Sequence, residues 1–101
     1  MVEILSPQLL KVLMDLTGEV KIDSALRMMA RDAVQYRLQQ IDSRIQALEQ
    51  KYGIVFEKFE ELFQAGHIPN QHSYEVEQDY LEWEGLISRQ RRLSEMRDLV
   101  A

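Results

Sequence analysis

Apolar residues recur along this chain at three- and four-residue intervals in four stretches, which Pro7, Gly18, Gly53, Gly66 and Pro69 separate. Ser6-Pro7 is a helix start: the hydroxyl can cap free amides and proline suits the first helical position. Leu9, Leu10, Leu13 and Leu16 then keep helical spacing until Gly18. Asp23 or Ser24 is expected to cap a second helix that meets no breaker before Gly53. Within it Val34, Leu38, Ile41, Ile45, Leu48 and Tyr52 follow at alternating spacings of four and three, a heptad seam. Ala25, Leu26, Met28, Met29, Ala30 and Ala33 broaden the apolar face near its start, and that broad face is expected to remain open to water.

Phe56, Phe59, Leu62 and Phe63 mark one face of a short third helix closed by Gly66, for which Val55 is a poor N-cap. Ser73 can cap a fourth helix carrying Val76, Tyr80, Trp83, Leu86 or Ile87, Leu93, Met96 and Val100 on a drifting stripe. Val2 and Ile4 flank Glu3 in a weak strand pattern ahead of all this. The pattern therefore predicts an all-α, single-domain chain over residues 1–101, with the two long helices folded back as an antiparallel hairpin. So short a chain has a marginal core, and a second copy is the natural cover for apolar surface left over. A homodimer is expected, with Val34, Leu38, Ile41, Ile45 and Leu48 as its seam.

Composition narrows the function. The chain has 101 residues, no cysteine, and a net charge of −5. Absence of cysteine removes thiolate nucleophiles, thiolate zinc sites and disulfides. An acidic balance argues against general nucleic-acid binding. No apolar run reaches the roughly 20 residues that span a bilayer, and no secretory signal is visible, so a cytoplasmic protein without membrane attachment is expected.

Charge is unevenly placed. Residues 49–84 hold nine acids and two bases, whereas residues 85–101 hold two acids and four arginines. A hairpin then has an acidic pole near Tyr74, Tyr80 and Trp83, and an arginine-rich pole where Arg89, Arg91, Arg92 and Arg97 return towards Arg27 and Arg31. Such an acidic, aromatic pole could dock a basic protein; equally, Tyr80 and Trp83 could be core and the acids a solvated face.

Enzymatic readings find little footing. Glu57, Glu60 and Glu61 with Glu75, Asp79 and Glu82 could form a magnesium cluster as in all-α nucleotide pyrophosphatases, although the last three flank the apolar stripe as solvated residues do. His67 and His72 with Glu75 straddle a turn and lack a second ligand pair for zinc. No serine–histidine–acid arrangement stands out, since both histidines share one loop. Neither a catalytic residue, a metal site nor a cofactor is expected.

Tyr52-Gly53-Ile54, then Phe56 to Glu60, then His72 to Glu84 resemble, in that order, a group of small prokaryotic helical antitoxins encoded beside a toxin. Residues 1 to about 35 also resemble a shortened ribbon-helix-helix module, which divides the chain into a dimerisation part (1–35) and a partner-binding hairpin (36–101). The resemblance implies a type II antitoxin, a non-catalytic subunit that masks a cognate toxin. The toxin would meet Tyr74, Glu77, Tyr80, Trp83 and Glu84 of the last helix and Phe56 and Phe59 of the short one. Ribbon-helix-helix proteins read DNA with polar or basic strand residues, whereas the outward set here would be Met1, Glu3 and Leu5, and residues 1–31 are neutral overall. Operator binding by the isolated protein is thus not expected. The alternatives are the magnesium-dependent pyrophosphatase and a structural coiled-coil adaptor.

Overall fold

The computed structural model describes residues 5–101, and these are all-helical, with no strand among them. Helix α1 spans Pro7–Thr17, α2 Ile22–Tyr52, α3 Phe56–Gln64 and α4 Tyr74–Leu99. The expected strand around Val2 and Ile4 lies outside the described residues.

The helix ends follow from local chemistry. Ser6 Oγ accepts the Leu9 amide at 3.1 Å, Pro7 takes the first helical position, and Gly18 closes α1 in the left-handed region at φ 71°. Helix α2 starts two to three residues earlier than a cap at Asp23 or Ser24 predicts. Lys21 occupies the N-cap without a side-chain bond, and Asp23 falls inside the first turn, where its charge suits the helix dipole. At the other end Gly53, at φ 72°, donates its amide to the Glu49 carbonyl at 2.7 Å. Val55 caps α3 with no side-chain bond, as its lack of a polar group requires. Ser73 Oγ accepts the Val76 amide at 3.3 Å to begin α4.

Helices α2 and α4 pack against each other as an antiparallel hairpin. Lys51 near the end of α2 meets Asp79 near the start of α4, Arg44 meets Glu82, and Leu93 packs on Val34 and Leu38. Five core residues, Leu48, Phe59, Ile68, Val76 and Trp83, form one cluster where α3 folds over the hairpin's closed end. Gln71 pins the connection: its amide nitrogen donates to the Phe63 carbonyl at 2.8 Å while its oxygen accepts the Ile68 amide at 3.2 Å. That bridge holds Ile68 down on the cluster. Val34, Leu38 and Leu93 form a second, smaller cluster with Ile41 against it.

The seam expected between two chains is therefore filled within one. Val34, Leu38, Ile45 and Leu48 are buried in the single chain and Ile41 is half-buried. The chain's own α4 supplies the complementary apolar face, so these positions are not left over for a second copy. The broad face at the start of α2 is also less open than its composition predicts. Helix α1 packs back over it, burying Ala25 completely together with Leu13, while Leu26 stays exposed. The expected boundary at residues 35 and 36 falls in the middle of α2, so both proposed parts share one continuous rod.

The result is long. Principal extents are 57 × 27 × 19 Å and the radius of gyration is 19.6 Å, against about 13 Å for a compact domain of this length. Such a rod has a large surface for its volume, and it ends in two chemically different poles.

Candidate protein-interaction surface

The acidic pole is built from the end of α2, all of α3 and the first half of α4. Its foundation is a ring cluster. Trp83 is fully buried, with ring centroids 5.0 Å from Phe59, 5.4 Å from Phe56 and 5.9 Å from Tyr52. Tyr80 packs on Phe63 at 4.3 Å, and its hydroxyl accepts from Gln64 and donates to Glu60, each at 3.2 Å. The Trp83 indole N–H has no hydrogen-bond acceptor, a cost set against the large apolar area that these rings bury.

An ionic clasp fastens α2 to α4 beside the rings. Lys51 Nζ donates to Glu75 and to Asp79, both at 2.6 Å, and the Tyr52 hydroxyl donates to the same Asp79 oxygen at 2.5 Å. Burial alone would raise the Asp79 carboxyl, but hydrogen bonds from Lys51 and Tyr52 outweigh it and hold the group below its ordinary range. Burial, followed by the bond to Asp79, pushes the Tyr52 hydroxyl up to about 12. Further along, Arg44 grips Glu82 through two parallel bonds of 2.6 and 2.7 Å; these bonds hold the Glu82 carboxyl below its ordinary range, against a smaller opposing effect of burial. Asp79 is buried and shared between two donors, in contrast to the solvated position that its place beside the apolar stripe predicts.

The sequence-predicted contact residues divide between two sides of α4. Trp83 and, on α3, Phe59 are wholly inside the monomer, so neither presents a surface to a partner. Tyr80 and Phe56 are half-buried against them. Tyr74, Glu77 and Glu84 face solvent. These three, with Leu81 among them, sit at i, i+3, i+7 and i+10, which places all four on one outward stripe. Tyr74 is 81% exposed and Leu81 61%. Leu81 completes the stripe at a spacing from Tyr74 and Glu77 that the sequence itself shows, whereas Tyr80 and Trp83 follow a period that leads inward.

Glu84 neighbours Ile87 one turn on along the α4 surface. Ile87 belongs to an open groove of about 450 Å³ lined by Ile45, Glu49, Val55, Phe56, Glu57 and Gln90. Its floor is aliphatic and aromatic, and its rim carries two carboxylates. Among the described residues Glu49, Glu57, Glu60, Glu77 and Glu84 have no cation within 4 Å. The acidic pole thus keeps free negative charge beside exposed apolar side chains.

No group of three histidine, aspartate or glutamate side chains among the described residues converges on a point. Asp79 and Glu82 are already held by Lys51 and Arg44. None of the described helices is long and apolar enough to cross a membrane. Fold and surface define a small helical hairpin with an acidic face that also exposes Tyr74 and Leu81. No protein family, curated protein or solved structure matches the chain.

Proposed function

We propose that this protein is a non-catalytic interaction subunit, an antitoxin-like partner that covers the basic site of a cognate toxin in the cytoplasm. The observation that carries the reading is the stripe Tyr74–Glu77–Leu81–Glu84, where two exposed apolar side chains alternate with two uncompensated carboxylates. Carboxylates of this kind steer encounter with a basic protein, and the apolar pair supplies contact area once it is docked. The groove floored by Phe56 and Ile87 extends that face and could receive an apolar side chain flanked by lysine or arginine. Phe59, Tyr80 and Trp83 act by holding α3 and α4 in place. In this reading the protein works as a homodimer.

The test is capture of the product of the adjacent open reading frame. Glu77→Lys/Glu84→Lys is expected to weaken binding at least about tenfold, mostly through association rate and most strongly at low salt. Tyr74→Ala/Leu81→Ala is expected to weaken it by a similar factor through faster dissociation. Both pairs lie on the solvent face, so thermal unfolding should hardly change. Undiminished capture by both variants would remove this surface, and lack of any toxic neighbour would favour the structural adaptor, a role that the 57 Å rod also suits.

A further inference from the structure

Helix α1 carries more apolar surface than the other described residues cover. Leu9, Leu10, Val12, Leu13, Met14 and Leu16 occupy about 200° of its circumference at roughly 100° per residue. The side formed by Leu10, Leu13 and Met14 turns inward onto α2, and Leu13 is buried there. The other side does not. Leu9, Val12 and Leu16 are 46%, 57% and 66% exposed, spaced by three and four residues as in a coiled-coil seam. Leu5, Val20, Ile22 and Leu26 add further exposed aliphatic surface at this end of the rod.

We infer that this outer face of α1 is a self-association interface, which joins two copies at the pole opposite the acidic one. Three observations favour a second copy as the occupant. The first is symmetry. An antiparallel pairing of α1 with its copy about a two-fold axis between Val12 and Leu13 sets Leu9 against Leu16 and brings Val12 beside Val12, so the exposed seam positions of the helix meet one another. The second is charge. The polar residues flanking the seam are Gln8 and Asp15, and the same pairing brings the Gln8 amide of one copy towards the Asp15 carboxylate of the other, with no like charges face to face. The third is area. Seven exposed aliphatic side chains offer several hundred Å² per chain, the order of the about 800 Å² per partner that a stable dimer buries.

A lipid surface fits less well, because an interfacial helix has a cationic polar face and the polar side of α1 holds one lysine, Lys11, against one aspartate, Asp15. The long-helix seam is closed within the chain, so α1 takes over the role of dimer contact. Its location also has a consequence for stoichiometry. Joined at their α1 ends, two rods point their acidic poles away from each other, and the dimer carries two independent docking faces.

Light scattering of the full chain across a micromolar concentration series tests the interface. The wild type is expected at twice the 11.9 kDa chain mass. Leu9→Glu/Leu16→Glu replaces exposed side chains only and is expected to shift the association midpoint upward at least about tenfold with helical circular dichroism unchanged. A wild type at single-chain mass throughout, or a variant as dimeric as the wild type, would overturn the interface. So would a single-chain wild type that co-sediments with phosphatidylcholine or phosphatidylserine vesicles through these leucines. Capture of the neighbouring gene product by the variant reports separately on the acidic pole, so either conclusion can fail without the other.

Discussion

Replacing Trp83 with alanine should lower the melting temperature by about 15 °C or more. The indole is fully buried between rings from α2 and α3, and among the described aromatic residues it alone pairs with Tyr52, Phe56 and Phe59 together, at 5 to 6 Å. Truncating a buried tryptophan costs roughly 3–5 kcal/mol, while a domain of this size has about 5–15 kcal/mol in total. Each kcal/mol moves the transition by roughly 4–8 °C in a chain of up to about 100 residues. Collapse of neighbouring rings could recover little, because Phe59 and Leu48 are themselves held by helix positions on either side. Trp83→Phe should cost far less, since it keeps a ring and removes an indole N–H that has no acceptor. Circular dichroism melts of the two variants decide the matter: equal, small shifts would mean that the ring cluster does not anchor the hairpin.

Asp79→Ala is expected to cost roughly 1–3 kcal/mol and to change how stability varies with pH. The substitution leaves the half-buried Tyr52 hydroxyl without its acceptor and takes one of two carboxylates from Lys51. The direction of the pH effect follows from the two states. Asp79 titrates lower in the fold than in the unfolded chain, so its contribution is present at neutral pH and disappears as the medium is acidified through the folded value. Tyr52 titrates higher in the fold, so its contribution is complete below the ordinary value of 10.0 and is lost as pH rises towards about 12. Lys51 is also raised, by its bonds to Asp79 and then Glu75, and weakens in the same alkaline direction. Urea unfolding midpoints of the wild type should therefore fall on both flanks of a neutral plateau. In Asp79→Ala the acid flank should flatten, and the alkaline one should become shallower without vanishing, because burial still raises Tyr52. Unchanged profiles in the variant would show that the clasp is not coupled to folding.

The helices were legible because their punctuation is explicit: Ser6-Pro7, Gly18, Gly53 and Ser73 each act as the cap their chemistry implies. The hairpin was legible too, since Val34 to Tyr52 keeps one stripe for nearly three heptads. What the stripe could not say was which chain would cover it. A seam of Leu38, Ile45 and Leu48 is equally good for an intrachain and an interchain neighbour, and only the position of α4 decides. Helical periodicity likewise left Tyr74 and Tyr80 in one acidic-aromatic class, although six residues separate them and the helix turns about 240° between the two. Asp79 was misplaced for a related reason: a carboxylate beside an apolar stripe looks solvated until Lys51 and Tyr52 arrive from another helix. The covering of Ala25 by α1 depends on the turn at Gly18 bringing the two helices together, which no spacing within either helix encodes.

In the proposed reading the two poles divide the labour. Apolar α1 surface at one end suits a permanent contact with a second copy, whereas an acidic stripe with two apolar side chains suits a partner that must be recognised by charge and then held. The folded hairpin between them keeps the poles apart along the 57 Å axis.

Amide hydrogen exchange of the chain alone and saturated with the neighbouring gene's product tests the docking face most directly. Slower exchange is expected in the first half of α4, from Tyr74 to Glu84, and in α3, with residues 89–99 unchanged. Protection confined to residues 89–99 or to α1, with the acidic pole exchanging as in the free chain, would contradict it.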